Sequence, residues 1–343
     1  MLCPSPMNFK QEFKQKLHSQ VPETNQDFEQ RALQLFRYQV RHNTVYQAYV
    51  KQLKVKPAAV SQLSEIPFLP IEFFKTQMVK TDDYAAETIF LSSGTTQTER
   101  SQHFLPNLQF YLQNTQLLFE SQYGPLADYT FLALLPSYIE QGNSSLVAMV
   151  SYFMQKSGQD EPGFFLYNLQ DLVRILERPQ TSNKNIFLFG VTYALLDLAD
   201  YVSAHNLAGL FRNVIIMETG GMKGRRREMI RPELHAQLQE AFGVTTIHSE
   251  YGMTELLSQA YSQEQGIFKK PSIMRILLRD MNDPFDLNPD LKTGGINIID
   301  LANVDSCAFI ETKDIGKIHP DGSFEVLGRF DNSDIRGCNL LVG

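Results

Sequence analysis

A chain of 343 residues, 43% hydrophobic and 20% charged, is long enough to bury a large core as one big α/β domain or two ordinary ones. Its net charge of −7 argues against non-specific nucleic-acid binding, which needs a surplus of Lys and Arg; a nucleotide can still be held locally by backbone N–H groups and helix termini. No stretch approaches the ~20 apolar residues that span a bilayer, and residues 1–20 show neither a secretory signal nor an anchor. Cys3, Cys307 and Cys338 lack the CxxC spacing and neighbouring histidines of a zinc site, so a reduced, cytoplasmic protein is the expectation.

Residues 8–56 set Phe28, Leu33, Phe36 and Val40 at helical spacing, with Pro22 as the one internal proline, and predict two or three helices. Next, Ile66-Pro67-Phe68-Leu69-Pro70-Ile71-Glu72-Phe73-Phe74 joins proline-restricted backbone to dense apolar surface and reads as an extended arm crossing the fold. From residue 88 onward, apolar strands at 88–91, 130–135, 186–189 and 214–217 alternate with amphipathic helices at 105–120, 144–155, 169–176 and 227–242. That alternation predicts an α/β architecture with substantial parallel sheet. Past residue 270 the spacing tightens to strand and turn, at 273–278, 295–299, 308–311 and 324–327, which predicts a compact β-rich subdomain closing the site. One unit over 1–343 is expected: a helical region over 1–60, an α/β core over 61–269 and the β-rich part over 270–343.

Several segments carry residue types suited to a nucleotide. The strand at 88–91 runs into Ser92-Ser93-Gly94-Thr95-Thr96, whose small hydroxyl residues around one glycine can approach phosphate oxygens closely. It lacks the GxxxxGK spacing of a Walker A loop, and a polar turn with a helix cap is the competing reading. Tyr251-Gly252-Met253-Thr254-Glu255 offers an aromatic ring, a hydroxyl and a carboxylate, the last a suitable ligand for a hard cation; an ordinary loop with Thr254 as a cap is the alternative. Gly220 and Gly221, in Gly220-Gly221-Met222-Lys223-Gly224, end an apolar strand and let backbone approach a planar ligand. The run Lys223, Arg225, Arg226, Arg227 and Arg231 fits a solvated helix face or a pyrophosphate or partner contact. Asp314 lies in Lys313-Asp314-Ile315-Gly316 after a predicted strand, either as a hydrogen-bond acceptor for a ligand or as a turn residue. Phe187, Phe189, Tyr193 and the loop 136–140 fit an acyl pocket or plain core, and His248 reads as structural because no GxSxG elbow is present.

The ordered set Ser92-Ser93-Gly94-Thr95-Thr96, Tyr251-Gly252-Met253-Thr254-Glu255, Lys313-Asp314-Ile315-Gly316 and Gly328-Arg329-Phe330-Asp331 resembles the acyl-adenylate-forming superfamily. The text Gly220-Gly221-Met222-Lys223-Gly224 and Asp334-Ile335-Arg336-Gly337-Cys338 narrows the resemblance to its acyl-protein synthetase branch, LuxE-like and related to phenylacetate-CoA ligases, over roughly residues 60–343. The resemblance implies a large adenylate-forming N-terminal domain without the mobile C-terminal domain of the larger ligases. It implies ATP and Mg²⁺ as cofactors, with Ser92, Ser93, Gly94, Thr95 and Thr96 at the phosphates. Tyr251 and Gly252 would lie at adenine, Gly220 and Gly221 between adenine and the acyl carboxylate, and Thr254 at the α-phosphate. Glu255 would bind the metal, Asp314 the ribose and Arg329 the nucleotide. A long-chain fatty acid would be activated as acyl-AMP and passed to Cys338, then to a partner protein such as a reductase or acyltransferase. A coenzyme A ligase and an inactive scaffold of the same fold are the alternatives. The sequence departs from the superfamily where Gln97, Glu99 and Arg100 replace the usual glycine and lysine, and Lys223, Arg225 and Arg329 are the candidates for the missing C-terminal-domain lysine.

Overall fold

The computed structural model describes residues 6–93, 100–136, 142–159, 163–178, 183–221, 226–227, 229–287 and 291–330. Three helices open it: α1 (Pro6–Ser19), α2 (Asn25–His42) and α3 (Thr44–Gln52). Thr24 and Asn43 cap the second and third, accepting from the N–H groups of Asp27 and Tyr46. The proline-rich arm follows as β1 (Leu69–Pro70) and the short helix α4 (Phe73–Thr76), and β1 adds in parallel to a strand near the far end of the sequence.

A hairpin comes next, β2 (Thr88–Leu91) antiparallel to β3 (Gln102–Leu105), and Ser92 and Ser93 of the predicted phosphate loop follow β2 directly. The α/β body then runs through α5 (Leu108–Tyr123), β4 (Tyr129–Leu134), α6 (Ser145–Lys156), α7 (Leu169–Glu177), β5 (Asn185–Val191) and α8 (Thr192–His205). It continues with β6 (Val214–Thr219), α9 (Arg231–Phe242), β7 (His248–Tyr251) and β8 (Ala260–Ser262). Strands β4 to β7 lie side by side in parallel, and β8 closes the sheet antiparallel to β7. Parallel strands joined by helices are covered on both faces, which is why β5 reads Asn-Ile-Phe-Leu-Phe-Gly-Val without alternation. An aromatic cluster fills one side: Phe119 stands 5.2 Å from Phe187 and 5.0 Å from Phe153, ring centre to ring centre. Phe187 and Phe189 are therefore core, as their strand position suggested.

The last part is a second sheet of β9 (Ile267–Phe268), β10 (Met274–Arg279), β11 (Thr293–Asp300), β12 (Phe309–Ile318) and β13 (Phe324–Arg329). Its order is β10-β11-β12-β13-β9, with β1 joined to β12. The predicted change from helix to strand after residue 270 is observed, and β12 runs well past its predicted end at residue 311 to include Asp314. Buried polar groups tie this sheet to the N-terminal helices. The Gln39 amide donates to the carbonyl of Asn303 at 2.8 Å and of Ser306 at 3.1 Å, while its oxygen accepts from the Ala308 N–H at 3.0 Å.

Candidate functional site

The parallel strands β5, β6 and β7 end side by side, at Val191, Thr219 and Tyr251, and the carboxyl ends of parallel strands are where α/β sheets receive ligands. Gly220 leaves β6 with φ +70°, a left-handed conformation that a side chain would strain, and its carbonyl accepts a hydrogen bond from Thr192 Oγ1 at 3.2 Å. Gly220 and Gly221 are both exposed. The strand itself ends on a buried ion pair: Glu218 meets Arg231 Nε at 2.9 Å and His235 at 3.7 Å. Burial alone would raise the Glu218 pKa, but His235, Arg231 and Ser249 together hold it below the usual value. Arg231 also donates to the Val326 carbonyl at 2.9 Å, and Arg226 pairs with Asp197 and Asp200, so two members of the basic run are engaged within the protein.

Tyr251 closes β7, and its hydroxyl donates to Asp314 Oδ2 at 2.7 Å. The ring is buried, 5.8 Å from both Phe268 and Phe324. Asp314 stands opposite Arg329 in the β12–β13 pairing, and Arg329 Nε lies 3.2 Å from Asp314 Oδ1. Its pKa is raised by burial, against the pull of Arg329 and Tyr251.

After Tyr251 the chain turns through Gly252 to Thr254 and Glu255, held by groups from three directions. His103 Nδ1 meets the Thr254 carbonyl at 2.8 Å, and burial drives this imidazole to a pKa of about 4, so it is neutral. Asn303 Nδ2 donates to the Glu255 carbonyl at 2.8 Å. Asp300, wholly buried, accepts from the N–H groups of Leu257 and Ser258 at 2.8 and 3.0 Å and from Ser258 Oγ at 2.6 Å. The Glu255 carboxyl is 5% exposed; burial raises its pKa, opposed by a hydrogen bond from Ser101 and by the charges of Arg329 and Lys75.

Ser101 also joins Glu255 to the hairpin. Ser92 N–H donates to the Ser101 carbonyl at 3.1 Å, and Ser101 N–H donates to Ser92 Oγ at 2.9 Å. The structure thus links Ser92 to Glu255 through Ser101, and Tyr251 to Arg329 through Asp314, on one segment running from Tyr251 to Glu255, with Gly220 at the end of the adjoining strand. Ser93 is exposed on the hairpin. Gly94, Thr95, Thr96, Lys223, Arg225 and Cys338 lie outside the described residues. Cys307 is fully buried with its thiol pKa pushed up to about 12, the state of a packing residue. His248 sits against Tyr123 Oη at 3.0 Å, neutral with a pKa of about 4, in a structural position.

Similar architectures are found among solved structures. A 2-hydroxyisobutyryl-CoA ligase in its post-adenylation state superposes with a TM-score of 0.66 at 13% identity, covering 90% of this chain and 68% of that one. ATP-bound MatB from Rhodopseudomonas palustris gives 0.52 at 18% identity, covering 73% of this chain and 50% of that one. The fold is therefore shared with these two ligases over the matched part of each. This chain matches about half the length of MatB, and at such identities the likeness concerns the fold alone. The sequence matches no protein-family model and no curated relative.

The donor set fits a nucleotide with a divalent cation. Glu255 is a buried carboxylate beside hydroxyls, the ligand type a hard cation prefers. Among the described residues no group of three or more His, Cys, Asp or Glu forms a protein-only cage, so a cation held by Glu255 would share phosphate oxygens and water. Sequence reasoning missed Asp300, Asn303, His103 and Lys75. The first three act through backbone carbonyls and N–H groups and leave no motif. Lys75 stands one residue past the predicted arm, where only a reading of its neighbour Phe74, packed against His103 with ring centres 5.9 Å apart, places it near Thr254.

Proposed function

We propose that this chain activates a carboxylic acid with ATP as acyl-AMP and then transfers the acyl group to a thiol. The observation that carries the reading is the Tyr251 hydroxyl, which donates to Asp314 at 2.7 Å and so ties the ribose-type carboxylate to the same segment that carries the metal-type carboxylate Glu255. In the reaction a carboxylate oxygen of the acid bonds to the α-phosphorus, the bond to the bridging oxygen breaks, and pyrophosphate leaves. Asp314 would fix the ribose hydroxyls, Thr254 and the hairpin residues from Ser92 and Ser93 onward would meet phosphate oxygens, and Gly220 and Gly221 would let backbone approach the adenine and the acid. Mg²⁺, when held by Glu255, would neutralise charge on the phosphates. Lys75 joins Arg329, Lys223 and Arg225 as a cation for the phosphate chain: it is exposed, and its charge acts on Glu255.

A long-chain fatty acid is the proposed substrate and Cys338 the proposed thiol. The thiolate would attack the acyl carbonyl, AMP would leave, and the thioester would pass to a partner reductase or acyltransferase. With ATP, Mg²⁺ and labelled fatty acid, the protein should gain a label that neutral hydroxylamine releases, and Cys338→Ser should lose it while keeping acid-dependent exchange of pyrophosphate into ATP. Labelling that persists in Cys338→Ser places the acyl carrier elsewhere. A second reading, an acid–coenzyme A ligase, draws support from the likeness to a hydroxyacyl-CoA ligase across 90% of the chain. Product formation that requires coenzyme A and leaves the protein unlabelled would decide for it. No exchange with any acid would leave the scaffold reading.

A further inference from the structure

Glu250, on β7, lies between the two glycine turns of the candidate site, and acid activation as derived above gives it no task. Its carboxyl accepts a hydrogen bond from the Thr219 hydroxyl, which occupies the paired position on β6. A Cβ on Gly252 would run into Glu250 Oε1, so the carboxyl rests against the backbone of that glycine. Thr219 leads directly into Gly220 and its left-handed turn. One buried side chain therefore touches the start of the turn after β6 and the start of the turn after β7. The charged or titratable groups acting with it are Glu218 on β6, Tyr111 on α5 and Tyr261 on β8, an acid and two phenols. Burial, opposed by Thr219 and reinforced by Glu218, pushes its pKa up to about 7.

We propose that Glu250 is a positioning residue, a strut whose carboxyl, held between the Thr219 hydroxyl and the Gly252 backbone, locks the Gly220 turn to the Tyr251-Gly252-Met253-Thr254-Glu255 segment. Only the catalytic consequence rests on the acid-activation reading; the strut itself is a property of the fold. When Glu250 ionises, a second anion appears beside Glu218, which is already ionised, in a region too buried for water to screen them. The two turns then separate, and the phosphate-facing and acid-facing backbone lose their register.

The test uses the full chain with Glu250→Gln, Glu250→Ala, Gly252→Ala and the double variant Glu250→Ala/Gly252→Ala. A carboxyl whose pKa rises from 4.5 unfolded to about 7 folded gives stability that is present below pH 4.5 and lost as pH climbs to about 7. Gln keeps the shape without the proton equilibrium. The midpoint temperature of Glu250→Gln relative to wild type should therefore climb over that window and level off above it. Gly252→Ala, which pushes the Glu250 carboxyl away, and Glu250→Ala, which removes it, should each lower the melting temperature and slow pyrophosphate exchange by roughly tenfold, and the double variant should lose less than the sum of the two because both changes act on one contact. In exchange assays wild type should lose rate above pH 7 while Glu250→Gln holds it, with KM for the acid unchanged. A melting temperature difference between wild type and Glu250→Gln that does not change with pH, or losses in the double variant that simply add, would overturn the strut. If the protein exchanges no pyrophosphate with any acid, acid activation fails, and the melting data still decide the strut.

Discussion

The two sheets solve different problems with buried residues. Around the parallel sheet the interior is apolar and aromatic, with Phe119, Phe131, Phe153, Phe187 and Phe189 all fully buried. In the second sheet and its connections the interior holds Asp300, Asn303, Arg279, Thr312 and Asp314, each with named partners. Arg279 alone reaches the Ile296 carbonyl at 2.9 Å, Asn297 Oδ1 at 2.8 Å and the Thr312 carbonyl at 2.6 Å, and Gly295 makes room for its guanidinium. Apolar packing is non-directional and fixes volume; hydrogen bonds to buried groups are directional and fix where a particular carbonyl or carboxylate stands. The first sheet supplies a rigid edge, and the second aims side chains and loop backbone at it.

That division can be broken experimentally. The largest effect belongs to the apolar side: Phe187→Ala should cost about 3–5 kcal/mol of stability, because it leaves a cavity inside the aromatic cluster. Whatever protein stays folded should keep wild-type KM values. A shift in KM for ATP without a loss of melting temperature would mean that this cluster shapes the site directly. Glu255→Gln should instead leave the melting temperature near wild type and reduce metal-dependent exchange on the order of a hundredfold or more, as loss of a transition-state electrostatic partner does. Exchange that survives this change would remove Glu255 from the mechanism.

A smaller effect is expected of Asp314→Ala. Losing charge-assisted hydrogen bonds costs about 1.5–3 kcal/mol, so KM for ATP should rise roughly ten- to a hundredfold while KM for the acid holds. Equal weakening of both substrates would assign Asp314 to the β12–β13 pairing and not to a ligand. Smallest of the four, Lys75→Gln should weaken binding of pyrophosphate and ATP by only a fewfold, since an exposed cation acts through a solvent-screened charge, and should leave binding of AMP unchanged. Equal effects on ATP and AMP would place Lys75 away from the β- and γ-phosphates.

Much of the architecture was legible because its signals are local. The strand at 88–91 has its predicted ends, and β5 and β6 differ from prediction only at their edges. The helix read from residue 105 starts at Leu108, because Gln102 to Leu105 pair as β3 and Asn107 caps the helix behind Pro106. Strand β7 escaped notice since His248, Ser249 and Glu250 are polar, unusual in a buried strand, and each is satisfied by a partner far away in sequence. Helix α8 escaped too: it is buried nearly all round, so Thr192 to Val202 shows little amphipathic contrast. The motif residues Tyr251, Glu255, Asp314 and Arg329 could be named from spacing, but Asp300 and Asn303 could not. An acid and an amide in Asp300-Leu301-Ala302-Asn303 look like any surface turn until the chain folds over them.

The reach of Gln39 bears on how the chain assembles. Its partners Asn303 and Ser306 lie 264 and 267 positions along the sequence, and Leu69 in β1 likewise waits for Ile310 in β12. Helix α2 can form early, yet the face that carries Gln39 finds its carbonyls only after residues 303–306 have left the ribosome. Contacts of such separation close large loops and slow folding. The N-terminal helices thus cannot complete their docking until this distant segment is made, and a nascent chain stalled before residue 300 would still lack the carbonyls that Gln39 binds and the strand that β1 joins.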